Sequence, residues 1–304
     1  MVEEIGKILG RGFESYTRNF NIAVPFVLGV LVSGVLSMVT FAVGGAYIFG
    51  SSLSSLENAA TPEEMFSVLL PMISQHLTEI VFLVLIYLLV SGFVQSFFTA
   101  GAIGMAKQAT ETGSSSLSTM MADGRKNTVN LFLANILVGL SMLAGVVFLV
   151  PGALRANPGF SSSPDTVSVL LLVIGVLLWV VYMFILSIVL AIYGYALVVE
   201  NLGPIDGILA GVNFFKTHKF DVFVLWLVQM AIIVFFSIIL QVIKLVPVPD
   251  SVFSVFYELA AAVVIMPLAT IWWVRLYMSG TGKKLYFNEL LLHPSDLEKL
   301  ETEA

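Results

Sequence analysis

The chain has 304 residues, of which 58% are hydrophobic and 11% charged, with a formal net charge of -6. A mean hydropathy of +0.99 and an apolar share far above the roughly 45–50% of soluble domains exclude a fold dispersed in water. The absence of cysteine excludes disulfides, thiolate metal ligands, cysteine nucleophiles and palmitoylation. The net acidity comes largely from external loop acids and the tail after Leu292, so it does not point to a partner.

In chain order, Met1 to Asn21 is polar and acidic before the first apolar run, so an uncleaved first span is expected rather than a cleavable signal. On a helix of about 3.6 residues per turn, Ile5, Ile8, Leu9, Phe13, Tyr16 and Phe20 share one face and Lys7, Arg11, Glu14 and Arg18 the other. Such an amphipathic helix either lies in the headgroup plane, basic side towards anionic phosphates, or packs on the end of the bundle.

Five stretches, 22–56, 80–106, 127–154, 166–199 and 222–243, contain no charged residue, and a sixth, 252–278, contains only Glu258 and Arg275. A bilayer core needs roughly 20 apolar residues as a helix. The stretches exceed the roughly 9–11 residues of a barrel strand and lack its alternation, so six transmembrane helices are predicted, at about 22–48, 80–106, 129–150, 166–198, 222–243 and 252–278. They form a single all-α transmembrane domain, 1–304.

Between the first two spans, Thr61-Pro62-Glu63-Glu64 reads as an N-cap with proline and acids in the first turn, opening a short external helix that Pro71 interrupts. Pro151-Gly152 and Asn157-Pro158-Gly159 predict a loop, with Ser163-Pro164 opening the fourth span. The Pro247-Val248-Pro249-Asp250 turn is short enough to make spans five and six adjacent and antiparallel. Ser295-Asp296-Leu297-Glu298 fits a capping box opening a last acidic helix.

Twelve of the fourteen Lys and Arg fall on one side of the predicted spans, leaving Arg155 and Lys244 opposite, so both termini are expected in the cytoplasm. A segment of similar design precedes each odd-numbered span. Residues 5–22 align without a gap with 205–222, and a weaker copy runs from Leu117 to Asn130 with Lys126-Asn127 at the place of Arg18-Asn19. This predicts three helical hairpins, each preceded by a cytoplasmic amphipathic helix.

Val199-Glu200-Asn201-Leu202-Gly203-Pro204-Ile205-Asp206-Gly207-Ile208, followed by Phe215-Lys216-Thr217-His218-Lys219-Phe220, resembles a segment of an uncharacterised group of prokaryotic six-span proteins. That group is similar to the membrane domain fused to some glycerophosphodiester phosphodiesterases. The resemblance implies the six-span architecture in a cytoplasmic membrane and supplies no catalytic residue.

Few polar groups fall inside the spans. Glu258 is expected near the outer interface, serving as a proton or cation site, paired with Lys244, or standing as an interfacial acid whose side chain reaches water, and Gln95, Asn135, Gln229 and Gln241 either bond between helices or line a polar pathway. Pro267 should break one hydrogen bond of the sixth span. Trp272, Trp273, Tyr277, Tyr193 and Tyr195 read as aromatic belts at the inner interface. The three histidines fall in loops on different sides, and neither HExxH, a P-loop nor a dinucleotide fingerprint occurs. No cofactor, metal, catalytic residue or nucleic-acid partner is therefore expected.

Two functions remain. One is a non-enzymatic membrane component that engages lipid headgroups or a partner protein through Lys7, Arg11, Arg18, Arg125, Lys126, Lys216 and Lys219. The other is a small transporter or channel whose pathway runs between the hairpins near Glu258.

Overall fold

The computed structural model describes residues 3–50, 61–155, 165–243 and 257–286. Six of its helical stretches are long and apolar enough to cross a membrane: Phe20–Phe49, Leu77–Thr112, Leu117–Arg155, Thr166–Glu200, Lys219–Ile239 and Tyr257–Gly280. The α-helices are α1 (Ile5–Arg18), α2 (Val24–Phe49), α3 (Pro62–Gln75), α4 (Leu77–Thr112), α5 (Leu117–Leu143), α6 (Val150–Arg155), α7 (Thr166–Val189), α8 (Tyr193–Glu200), α9 (Pro204–Thr217), α10 (Lys219–Ile243) and α11 (Met266–Gly280). Turns of 3-10 helix lead into α2 and α6, and a π-helical stretch, Ala261–Ile265, leads into α11.

The sixth span is the axis of the bundle. Residues 271–279 are all buried, and α11 packs chiefly along α4 and α1. The closest seam joins α4 to α5, because small residues there let the backbones approach. Ser96, Ala100, Gly101 and Gly104 of α4 are buried, and a Cβ on Gly101 would lie 2.7 Å from Met120 Cγ. A Cβ on Gly124 of α5 would lie 2.9 Å from the Phe97 ring.

Helix ends at one pole of the bundle follow from residue type. Asn201 (φ 56°) ends α8 in a left-handed cap, its N–H donating to Val198 O while that of Leu202 reaches Leu197 O, and Pro204 then starts α9 where a missing N–H costs nothing. Gly282 (φ 68°) closes α11 in the same way. Gly113 (φ 78°) ends α4, and the Tyr286 ring lies 2.6 Å from where its Cβ would be.

Pro267 lacks the N–H that would serve Val263 O in an α-helix. The π-helical turn ends just before it, and Tyr16 Oη of α1 donates to that carbonyl. The proline is thus a docking point for α1.

Several sequence expectations change. The third interfacial segment is not a separate helix: α5 runs unbroken through it, with Asn127 buried and its Nδ2 donating to Asp123 O (3.2 Å) within the helix. Pro71 does not interrupt α3, which continues to Gln75, because the surface position leaves the unserved carbonyl of Ser67 open to solvent. Pro151 and Gly152 are helical, since the 3-10 turn before α6 places Pro151 at its start, and Gly152 lets Leu172 pack closely. The fourth span is capped by Asp165, whose Oδ1 accepts from the Ser168 N–H at 2.5 Å. Trp272, Trp273 and Tyr277 are buried rather than set in an interfacial belt, because α1 meets Trp272, Tyr195 of α8 and Gln229 of α10 meet Trp273, and Phe214 of α9 packs on Tyr277. The Asn157-Pro158-Gly159 loop, Ser163-Pro164, the Pro247–Asp250 turn and the 295–298 box lie outside the described residues.

The segments at 5–22 and 205–222 both contain a fourteen-residue helix broken before the next one. The breaks fall at Asn19 (φ -124°, ψ 54°) and His218 (φ -126°, ψ 42°), so helix limits coincide at a shift of 199 residues, one less than the gapless sequence register. In that register Gly12 meets Gly211, and both are buried at close helix contacts.

Candidate functional site

The basic end of the bundle is built around α1. Its Ile8, Gly12 and Tyr16 are buried, and the Trp272 Nε1–H donates to Leu9 O at 3.1 Å across Gly12, where a Cβ would collide with the indole. Just before α1, the Glu3 side chain, 8% exposed, packs against Arg275 of the sixth span. Arg275 Nε lies 2.7 Å from Oε2 and its Nη2 3.1 Å from Oε1, a two-pronged pair, and Arg11 also donates to Glu3. Burial pushes the Glu3 carboxyl up, but the hydrogen bonds and charges of Arg275 and then Arg11 outweigh it and hold the group below the ordinary 4.5. Beside this cluster a cavity of 310 Å³ is lined by Arg11, Glu14, Arg18, Arg275, Gly113 and Tyr286.

A second polar network fixes the corner between α1 and α2 to the turn after α4. Asn19 Nδ2 donates to Gly113 O (3.0 Å) while its Oδ1 accepts from the Ser115 N–H (2.7 Å), and Asn21 pairs with the Ser115 carbonyl and hydroxyl at 2.9 and 2.7 Å. On the neighbouring junction Lys107 Nζ donates to Val199 O (3.0 Å) and Asn130 Nδ2 to Leu202 O (3.2 Å). These bonds hold three junctions in one layer.

The residues expected to contact headgroups divide into two sets. Lys7, Arg18, Arg125, Lys126, Lys216 and Lys219 are exposed, with Lys7 near Glu4 (3.4 Å) and Arg18 on Glu14 (2.6 Å). Arg11 instead turns inwards to Glu3. Large apolar groups stand exposed beside the basic ones: Phe13 and Phe20 at 57% and 59%, Leu117 and Met121 on α5, and Ile205, Leu209 and Phe220 at 64%, 54% and 75%. The apolar side of α1 is therefore shared, part against α11 and part facing outwards.

The intramembrane polar residues do not converge. Gln95 Nε2 bonds Ser33 Oγ (3.0 Å), Asn135 Nδ2 bonds Ser96 Oγ (3.1 Å), and Tyr193 Oη bonds Asn135 Oδ1 (2.6 Å), tying the first four spans together. Gln229 Oε1 accepts from Trp273 Nε1 (2.7 Å). Gln241 is exposed, and Glu258 is exposed and forms no ion pair within the described residues. Lys244, its expected partner, lies outside them.

What opens between the spans is apolar. A cleft of 660 Å³ separates α10 from the sixth span, lined by Leu227, Gln229, Phe235, Leu268 and Trp272 among others. Spans five and six, expected to be adjacent and antiparallel, touch only sparsely in α10 and α11. No group of three or more His, Cys, Asp or Glu side chains is disposed to hold a metal among the described residues.

Sequence reasoning missed Glu3. The available signal was Arg275, an arginine in an apolar stretch whose nearest acid along the helix, Glu258, is seventeen residues away, roughly 25 Å. A buried guanidinium requires an anion, which had to come from another element.

The chain belongs to the family defined by a domain of unknown function, DUF7847, which it matches over residues 5–276. No curated protein and no solved structure matches it. The resemblance to phosphodiesterase membrane domains has no counterpart in these comparisons.

Proposed function

We propose that this member of the DUF7847 family is a non-enzymatic, multi-pass component of a prokaryotic cytoplasmic membrane that engages anionic lipid headgroups at its basic end, with both termini cytoplasmic. One observation carries the reading: α1, α5 and α9–α10 place exposed Phe, Leu, Met and Ile side chains beside exposed Lys and Arg in a single layer. Apolar groups that enter the acyl boundary next to cations that meet phosphate are the chemistry of an interfacial surface. In this reading α1 and α9 are the amphipathic elements of a hairpin design, and kinship with the membrane domain of glycerophosphodiester phosphodiesterases belongs to the same proposal. The scatter of Gln95, Asn135, Gln229 and Glu258 gives no comparable support to transport.

The protein in nanodiscs containing phosphatidylglycerol should unfold several degrees above the same protein in pure phosphatidylcholine. Changing Arg125, Lys126, Lys216 and Lys219 together to Gln should remove most of that difference. Equal midpoints for the unaltered protein in both lipids would defeat the reading, and a partner protein would become the better occupant of this surface.

Orientation has its own test. A cysteine introduced at Ser114, an exposed residue of the basic end, should be shielded from an impermeant thiol reagent in intact cells, and cysteines at Ser54 and Ser161 should react. The opposite labelling would invert the topology.

A further inference from the structure

The break at His218 separates α9 from α10 and leaves a lateral cleft of 400 Å³ beside it. Ile185, Ile188 and Val189 of α7, Phe215 of α9, and Phe220 and Phe223 of α10 line it, with Lys219 as its one charged lining residue. The volume falls within the roughly 300–1,000 Å³ of small-molecule sites. Lys219 is exposed and opens α10, while Asp221 in the same helical turn does not line the cleft. His218 is held away from it, stacked on Phe214 at 4.4 Å with Nδ1 2.8 Å from Thr217 Oγ1. An apolar slot in the side of the bundle with one cation, at the layer where the basic residues collect, complements an amphiphile with an anionic head.

The same construction recurs between α2, α4 and α5. A cleft of 480 Å³ there is walled by Val32, Phe93, Phe97, Phe98 and Val129, and Arg125 is its charged residue. It has the same composition on a different set of helices.

We propose that the α7–α9–α10 cleft is a discrete phospholipid site: an acyl chain occupies the slot and the phosphate of an anionic headgroup pairs with Lys219, with the Arg125 cleft a second site of the same kind. This deepens the lipid-engaging function proposed above and rests on it. It differs in predicting lipids bound at fixed positions rather than a diffuse attraction of the surface.

The full-length protein, delipidated in mild detergent, is titrated with phosphatidylglycerol or phosphatidylcholine of identical acyl chains, and retained lipids are counted by native mass spectrometry. The expected result is up to two phosphatidylglycerol molecules held more tightly than phosphatidylcholine. Lys219→Gln should weaken one of them about fivefold and leave phosphatidylcholine unchanged, while Ile185→Trp, a change at an exposed cleft wall, should reduce both lipids. Melting curves of each variant establish that it is folded. Unchanged phosphatidylglycerol retention in both folded variants overturns the site, and does so without touching the surface reading if the nanodisc difference persists. If that difference is absent as well, the function on which the site rests falls with it. Loss of a dimer in Ile185→Trp with lipid retention intact would also overturn the site, making the cleft an interface between copies.

Discussion

A Glu3→Gln protein is expected to lose on the order of 3 kcal/mol of stability in detergent at neutral pH, read as a lowered thermal midpoint. The reason is the location of the guanidinium it serves. Arg275 is 3% exposed in the central helix of the bundle and holds the Glu3 carboxylate with two hydrogen bonds. A neutral amide cannot offset the cost of keeping that charge away from water. Arg275→Met in the Glu3→Gln background should recover part of the loss, because removing the cation cancels the penalty its stranded charge creates. The effect has a defined pH dependence. The folded-state pKa of Glu3 lies below the ordinary 4.5, so the contribution is complete above that value and is lost as pH falls through the lower, folded-state value. The acid limb of the stability profile should therefore be shallower in Glu3→Gln than in the unaltered protein. Parallel limbs would show that the pair does not couple folding to protonation.

The transmembrane helices were readable because each announces itself locally: an uncharged stretch longer than the bilayer core needs no knowledge of its neighbours. The four-residue spacing of Ser96, Ala100 and Gly104 is a local signal of the same kind, because small side chains permit close approach wherever they line one helix face, and all three residues sit buried along the α4–α5 seam. What depended on a distant element was not readable. Trp272, Trp273 and Tyr277 have the composition and position of an interfacial belt, and it is the arrival of other elements that turns them into core: Leu9 O and Gln229 Oε1 accept from the two indoles, and Phe214 of α9 packs on Tyr277. Glu3 was hidden for the same reason, its partner being 272 residues away.

The internal similarity shows a finer limit. Matching side chains set the register of 5–22 on 205–222 at 200, whereas the helix breaks at Asn19 and His218 set it at 199. Exposed identities such as Phe20 and Phe220 need only point outwards, and a helix tolerates a one-residue shift in what it shows to its surroundings. The buried glycines cannot shift, so Gly12 and Gly211 report the structural register.

Those glycines distinguish a docked α1 from one that lies free on the membrane. In α1, a Cβ at Gly10 would meet nothing within 4 Å, while one at Gly12 would collide with the Trp272 indole. Alanine is favoured over glycine inside a helix by up to about 1 kcal/mol. If α1 lay free on the membrane, Gly10→Ala and Gly12→Ala would both stabilise its helix. With α1 docked across the sixth span, Gly10→Ala should be neutral or slightly stabilising, whereas Gly12→Ala should cost roughly 1–3 kcal/mol through overpacking. It should also expose Trp272, which is 7% accessible in the docked state, to a lipid-borne fluorescence quencher. Because Trp272, Tyr16 and Glu3 all fasten the same helix, the Gly12→Ala loss should be smaller in a protein that already carries Glu3→Gln. Fully additive losses would mean that the glycine contact and the buried ion pair secure separate parts of the fold, and that α1 is not one docked unit.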